Sequence, residues 1–306
     1  MTVSMQPSSK AYLYAMLAIL FWSTMSSAFK LSLRLMPFDL LLFWSVLAAV
    51  LLLLSILLFT KKLGQMWYQS KRAWLSSALM GFINPFAYYV VLFKAYELLR
   101  AQEAGVLNYS WPIVLVVLSA LFLSQKITGR DWVAIGISFL ALIIISTEGK
   151  PWTMQFTHPT GVLLAVSSAF LWASYWILNV RDTREAIQKI ASNMLFGLLY
   201  ISVFLNLSGS WQLPKPQALT ASLYIGFFEM GIGFVLWLTA LGHAENTAKI
   251  SNLVFLSPFM ALFWIYLLVG EKILPSTVIG LACIIGSIFI QQRRPKQFKN
   301  KMLKRI

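Results

Sequence analysis

The sequence predicts an all-α membrane protein in which ten transmembrane helices form a 5+5 inverted-topology repeat. The first observation is composition: of 306 residues, 59% are hydrophobic and only 11% charged, with a mean hydropathy of +0.74. A soluble domain is about a quarter charged, so most of this chain must face lipid or pack inside it. The second observation is a series of ten apolar runs, most of them about 17–22 residues long, separated by polar breaks. The third is a duplication. The stretch AGVLNYSWPIVLVVLSALFLSQK at Ala104–Lys126 returns as ISNLVFLSPFMALFWIYLLVGEK at Ile250–Lys272, aligning Pro112 with Pro258 and Lys126 with Lys272, both 146 residues apart. Five helices per copy is an odd number, which turns the second copy upside down in the membrane.

The first run, Tyr12–Phe29, follows Lys10 and ends in Ser26-Ser27-Ala28, much as a secretory signal would. Its Phe21-Trp22-Ser23 returns as Leu171-Trp172-Ala173, so it counts as a retained helix with a structural counterpart. The second, Leu40–Phe59, ends at Lys61-Lys62, and the third, Trp74–Phe93, is broken near its middle by Asn84-Pro85. The fourth, Ala104–Leu123, crowds Asn108, Tyr109, Ser110, Trp111 and Pro112 near its start. The fifth, Trp132–Ser146, is short and extends at one end. A polar join, Glu148 to Thr160, with Pro151, His158 and Pro159, leads into the sixth, Thr160–Leu178, and then the seventh, Ile190–Leu207. The eighth, Ala221–Ala240, contains Glu229, Gly231 and Gly233; the ninth, Ile250–Val269, contains Pro258; the tenth, Thr277–Gln291, is again short. The copies are bounded as 1–150 and 151–292, with 293–306 a basic tail.

Placing the N-terminus in the cytoplasm puts eighteen of the 25 basic residues inside and seven outside, so the positive-inside rule sets both termini in the cytoplasm. The tail, Arg293 to Arg305, has seven basic residues and no acid. This accounts for much of the +15 net charge and points to anionic lipid head groups, not nucleic acid, as the partner. With one cysteine, Cys283, no intrachain disulfide is possible. There is no metal-ligand cluster, phosphate-cradling glycine loop or Ser/His/Asp set, so the chain reads as a non-enzyme with no catalytic residues, no metal and no cofactor.

Candidate binding residues are those the bilayer makes expensive. Glu229 stands among Phe227, Phe228, Met230 and Ile232, where a carboxylate costs at least about 2.5 kcal/mol or takes up a proton. It must face a cavity or a partner, and reads as a proton carrier, an anchor for a substrate amine, or a tie between two helices. The 146-residue offset maps Ile83 to Glu229 and Pro85 to Gly231, so each copy combines a polar group with a helix breaker near midplane. Pro85, Pro112 and Pro258 are the expected helix breaks. Asn108 shares a helical face with Trp111 and Pro112, and Asn252 lies in the matching part of the ninth run. Asparagines suit a zwitterion, and also suit helix-to-helix hydrogen bonds. Trp22, Tyr88, Tyr89, Tyr109, Trp111, Trp172, Tyr175, Trp176 and Trp237 are aromatics within helices that can stack on a substrate or cage an ammonium. Trp67, Tyr68, Trp74, Trp132 and Trp152 are interface anchors. Gly136, Ala282 and Gly286 are small enough for close helix packing, within one chain or between two, and the oligomeric state stays open.

The five-plus-five duplication, Trp22 and Trp172 in each first helix, and the helix ends Gln125-Lys126 and Gly270-Glu271-Lys272 resemble the EamA group of the drug/metabolite transporter superfamily over about Tyr12 to Gln291. Phe21-Trp22-Ser23-Thr24-Met25 and the segment from Gly105 to Pro112 look most like its aromatic amino-acid exporter branch. Phe228-Glu229-Met230-Gly231 and the segment from Asn252 to Pro258 are similar to EamA members in general. The resemblance implies carriage of small metabolites, commonly exported across a bacterial inner membrane through a central cavity. The expectation is a secondary transporter that exports amino acids or related amphipathic compounds by alternating access, around a cavity lined by the third, fourth, eighth and ninth helices. The alternative is an uptake carrier for nucleosides, vitamins or organic cations.

Overall fold

A computed structural model of the chain describes residues 7–123, 128–153, 156–244, 250 and 253–292, and within them every predicted run is helical apart from a turn at Tyr109-Ser110 in the fourth and an extended Asn84 in the third. In chain order the helices are α1 (Pro7–Ser32), α2 (Phe38–Phe59), the short α3 (Leu63–Trp67), α4 (Lys71–Leu98), α5 (Ala101–Asn108) and α6 (Trp111–Leu123). There follow α7 (Gly129–Ser146), α8 (Pro159–Arg181), α9 (Ala186–Ser208), α10 (Pro216–Gly242), α11 (Leu253–Val269) and α12 (Pro275–Gln292). Seven of these, α1, α2, α4, α7, α8, α9 and α10, are at least 18 residues long and apolar enough to cross a membrane, while α11 and α12 are shorter apolar helices. The short fifth and tenth runs extend at their N-terminal ends, to Gly129 and Pro275.

The ends are written into the sequence. Ser70 accepts a hydrogen bond from Ala73 N–H to cap α4, and Thr128 with Asp131 forms a capping box on α7. His158 Nδ1 accepts from Gly161 N–H in front of Pro159, the first residue of α8. Gly209 and Gly270, at φ +68° and +76°, end α9 and α11 in the left-handed region that glycine enters without a Cβ clash. Trp67, Tyr68, Trp132 and Trp152 are exposed near helix ends, as interface anchors should be.

By packing, the chain forms two units. One joins the residues up to Phe93 with Arg184–Glu271, and the other joins Lys94–Thr183 with those from Lys272 on. In the first unit α1 packs on α10 and α11, α2 on α9 and α10, and α4 on α9. In the second, α8 packs on α5 and α6, and α7 on α12, where the Ser138 and Ser287 hydroxyls meet at 2.7 Å. The first helix of each sequence copy thus packs on the fourth of the other copy, α1 on α11 and α8 on α5–α6. The third of each likewise meets the second of the other, α4 on α9 and α10 on α2.

In the first unit, glycines set how closely helices meet. A Cβ at Gly226 would lie 2.2 Å from the Ser45 carbonyl of α2, and one at Gly197 would lie 2.3 Å from the Pro85 ring. At the cytoplasmic end expected from the charge rule, Lys62, Gln65 and Gln69 pair in parallel with Glu185, Gln188 and Ser192 of α9. In the second unit the turn into α5 is a tether. Arg100 pairs with Glu148 at 2.7 Å, and buried Gln102 donates to the Lys272 carbonyl and accepts from Leu274 N–H.

Candidate functional site

The site is organised by a defect in α10. Gly231 stands at φ −109°, ψ −90°, outside the helical region, and Ile232 N–H reaches back five residues to the Phe227 carbonyl where a regular helix reaches four. Such one-turn bulges need room and a residue free of Cβ constraints, and the run Gly226-Phe-Phe-Glu-Met-Gly231-Ile-Gly233 supplies glycine at the bulge and on both sides. A Cβ at Gly231 would meet Leu52 at 2.6 Å, and one at Gly233 would lie 2.6 Å from Trp22 Nε1. Both α2 and the Trp22 indole therefore lie directly against the bulge.

Glu229 sits in this bulge, half-buried. The hydroxyl of Tyr89, on α4, donates to its Oε1 at 3.0 Å. Trp22, on α1, donates from Nε1 to the Glu229 main-chain carbonyl at 3.4 Å, a long bond that ties α1 to the loosened ladder. Tyr89 is wholly buried and held edge-on by Phe29 (centroids 6.4 Å) and Tyr88 (4.7 Å), so its hydroxyl is aimed and not free to rotate away. The indole of Trp22 contacts Trp237 at 5.4 Å and Phe234 at 6.0 Å. Phe21 meets Phe228 at 4.5 Å, and the Thr24 and Tyr224 hydroxyls lie 2.7 Å apart. On the far side of α1, Trp264 of α11 donates from Nε1 to Ser23 Oγ at 3.1 Å.

Chemically this is a carboxylate with one oxygen engaged by a neutral phenol and the other, Oε2, without a hydrogen-bond partner among the described residues. Trp22, whose indole reaches the Glu229 main chain, packs with Phe234 and Trp237 as one aromatic cluster, while Phe228 meets Phe21. An ammonium, or a proton, is the group that such an oxygen accepts.

The matched position in the other copy breaks as well. Asn84 has φ −144°, ψ +117°, an extended residue inside α4, because a following proline crowds the helical conformation of the residue before it. Asn84 is fully buried, and neither of its amide atoms has a hydrogen-bond partner among the described residues; the same holds for Asn193 on α9. The breaks at Asn84 and Gly231 fall within one residue of the 146-residue offset.

In the second unit Asn108 donates to Ser168 Oγ of α8 at 2.8 Å, and Ser168 donates onward to the Ala165 carbonyl. Trp111 packs on a cluster of Val114, Leu118, Ala169, Ala173 and Ile177. Trp172 contacts Tyr175, which is buried, and Trp176. Tyr109 is half-buried where α5 turns into α6. Pro112 and Pro258 do not interrupt regular helix. Pro112 is the second residue of α6, after the turn at Tyr109-Ser110, and Pro258 is the third residue of the α-helical segment Leu256–Trp264 that follows a tight turn at Leu253–Phe255. First-turn N–H groups have no intrahelical partner, so proline costs nothing there.

Of the predicted residues, Trp22, Glu229 and Trp237 come together in the first unit with Tyr88 behind Tyr89, and Asn84 lies on the same helix as Tyr89. Asn108 and Trp111 lie in the pairing of α5–α6 with α8 in the second unit, and Trp172 and Tyr175 contact each other along α8. Asn252 and Lys126 lie outside the described residues. Sequence reasoning names Tyr89 only as one of the helix-interior aromatics, not as a partner of Glu229, and misses Thr24 and Ser168; the helix break at Asn84-Pro85 just before Tyr89 was the available signal for that partnership.

The profile of the EamA-like transporter family matches residues 9–147 and 159–291. An uncharacterized transporter of Archaeoglobus fulgidus is 26% identical over 299 residues, covering 94% of this chain and 99% of that protein. The uncharacterized transporter YvbV of Bacillus subtilis is 24% identical over 238 residues, 75% of each chain. A solved crystal structure superposes with a TM-score of 0.66 at 20% identity, covering 92% of this chain and 96% of that one, a likeness of fold alone.

Proposed function

The chain belongs to the EamA-like transporter family, and from that premise we propose that it exports amino acids or related amphipathic amines from the cytoplasm by alternating access, with Glu229 as the group for which substrate and proton compete. The observation that carries this reading is Glu229 Oε2, without a hydrogen-bond partner among the described residues, at a helix break where the aromatic cluster of Trp22, Phe234 and Trp237 reaches the Glu229 main chain, in a multi-pass membrane protein. A substrate ammonium takes the position of the proton on Oε2, and Tyr89 holds Oε1 in place through both states. The rings of Trp22, Trp237 and Phe228 favour an apolar or aromatic side chain next to that amine. The exchange of helix partners between the copies supports an inverted repeat whose units rock about the interrupted helices. The 18-to-7 distribution of basic residues supports an inner membrane orientation with both termini in the cytoplasm and the basic tail against anionic lipid.

Counterflow in proteoliposomes tests the substrate class. Vesicles loaded with an amphipathic amino acid should take up labelled phenylalanine, tyrosine or leucine, and an acidic exterior should speed efflux. A protein that exchanges only nucleosides or sugars under the same conditions would refute the reading. The aromatic cluster of Trp22, Phe234 and Trp237 also suits an organic cation, so quaternary amines belong in the panel; exchange of these without amino acids would select the alternative carrier.

A further inference from the structure

The second unit contains a cavity of about 480 Å³ where the chain turns from α4 into α5 and passes from α7 to α8, within the size range of small-molecule sites. Its wall carries two cations, Arg100 and Lys150, and two carboxylates, Glu103 and Glu148. Glu103 is 5% exposed and is held by a short hydrogen bond from the Thr157 hydroxyl, while Arg100 and Glu148 form a 2.7 Å ion pair. Leu98 and Phe156 make an apolar side.

The backbone here is held in an uncommon shape. Glu148 stands at φ +52° and Gly149 at φ +86°, two left-handed residues in succession. A non-glycine residue in that region costs about 1–2 kcal/mol, and this turn holds the Glu148 carboxylate within ion-pair reach of Arg100. A loop with no task beyond connecting two helices could relax this by placing asparagine or glycine at 148.

We propose that this cavity is a second binding site, for a zwitterionic amphipath of amino-acid size whose carboxylate meets Lys150 and Arg100 and whose ammonium meets Glu103 and Glu148. A phosphate or dicarboxylate would face the two acids and an organic cation the two bases, whereas a ligand carrying both signs satisfies each and lays its side chain on Leu98 and Phe156. The assignment comes from the cavity alone and does not depend on what Glu229 binds.

The test uses full-length protein in nanodiscs of neutral phosphatidylcholine at low salt, with L-phenylalanine and phenethylamine, which lacks the carboxylate, as probes. Lys150 is exposed on a loop, so Lys150→Glu leaves the helices intact, as a thermal melt will verify. Wild-type protein should bind L-phenylalanine about tenfold more tightly than phenethylamine, and Lys150→Glu should reverse the preference. The same reversal should appear in a Glu229→Gln background, which separates this cavity from the site in the other unit. Unchanged affinities in Lys150→Glu, absence of wild-type binding at millimolar probe, or loss of the reversal with Glu229→Gln would each overturn the proposal.

Discussion

Tyr89 and Glu229 form the contact on which the site depends, and Tyr89→Phe probes it without changing shape. The variant removes the single hydroxyl that donates to Glu229 Oε1 and leaves the ring against Phe29 and Tyr88. A hydrogen bond to a charged group is worth about 1.5–3 kcal/mol, so apparent substrate affinity in proteoliposomes should fall about 10- to 100-fold while the melting temperature moves little. A fall in melting temperature with unchanged affinity would make Tyr89 a structural residue only. At this scale the sequence revealed charge but not partnership. Glu229 stood out because a carboxylate in an apolar run is costly anywhere in a bilayer. Tyr89 was legible only as one helix-interior aromatic among several, because a tyrosine in such a run looks the same whether its hydroxyl is aimed at a carboxylate or at an interface. Asn108 and Trp111 are candidates because they share a helical face with Pro112, and the structure gives Asn108 a serine partner and Trp111 a place on an apolar cluster, contacts that a sequence does not name.

Among elements, the glycines of α9 and α10 decide how near the broken helices come to their neighbours. Gly197→Ala places a methyl 2.3 Å from the Pro85 ring, which cannot swing aside, and overpacking of this kind costs about 1–3 kcal/mol. The melting temperature in detergent should drop by several degrees, whereas Gly286→Ala on α12, with nothing within 4 Å of the added carbon, should leave it unchanged. Equal melting temperatures for the two variants would show that α4 and α9 do not pack as described. The helix breaks themselves were legible, since Asn84-Pro85 and the glycines about Glu229 are breaking residues at matched depth. Pro112 and Pro258 were legible as markers but not in register. Proline forbids a donor without saying whether helix precedes it, and here each sits in a first turn, so the interruption falls before it.

On the scale of the whole molecule, the duplication identifies corresponding helices but not which ones pack. The copies divide at about residue 150, whereas compact units join residues up to Phe93 with Arg184–Glu271, and Lys94–Thr183 with the rest. Each copy therefore depends on the other for its first helix's partner, a relation that hydropathy and offset cannot carry. The orientation we propose rests instead on the lysines and arginines. In a Cys283→Ser background, Lys150→Cys should react with an impermeant maleimide from outside intact cells, and Lys301→Cys only after permeabilisation; the opposite pattern would invert the proposed topology. Transport by competition at one carboxylate is the claim on which the rest turns. The direct measurement is amino-acid counterflow in proteoliposomes, with and without a pH gradient, for wild type and Glu229→Gln. Wild type should exchange substrate and respond to the gradient, and Glu229→Gln should be slower by about tenfold or more, consistent with loss of a charge-assisted contact, and indifferent to the gradient. A Glu229→Gln protein that exchanges at the wild-type rate and keeps the same response to pH would contradict the account.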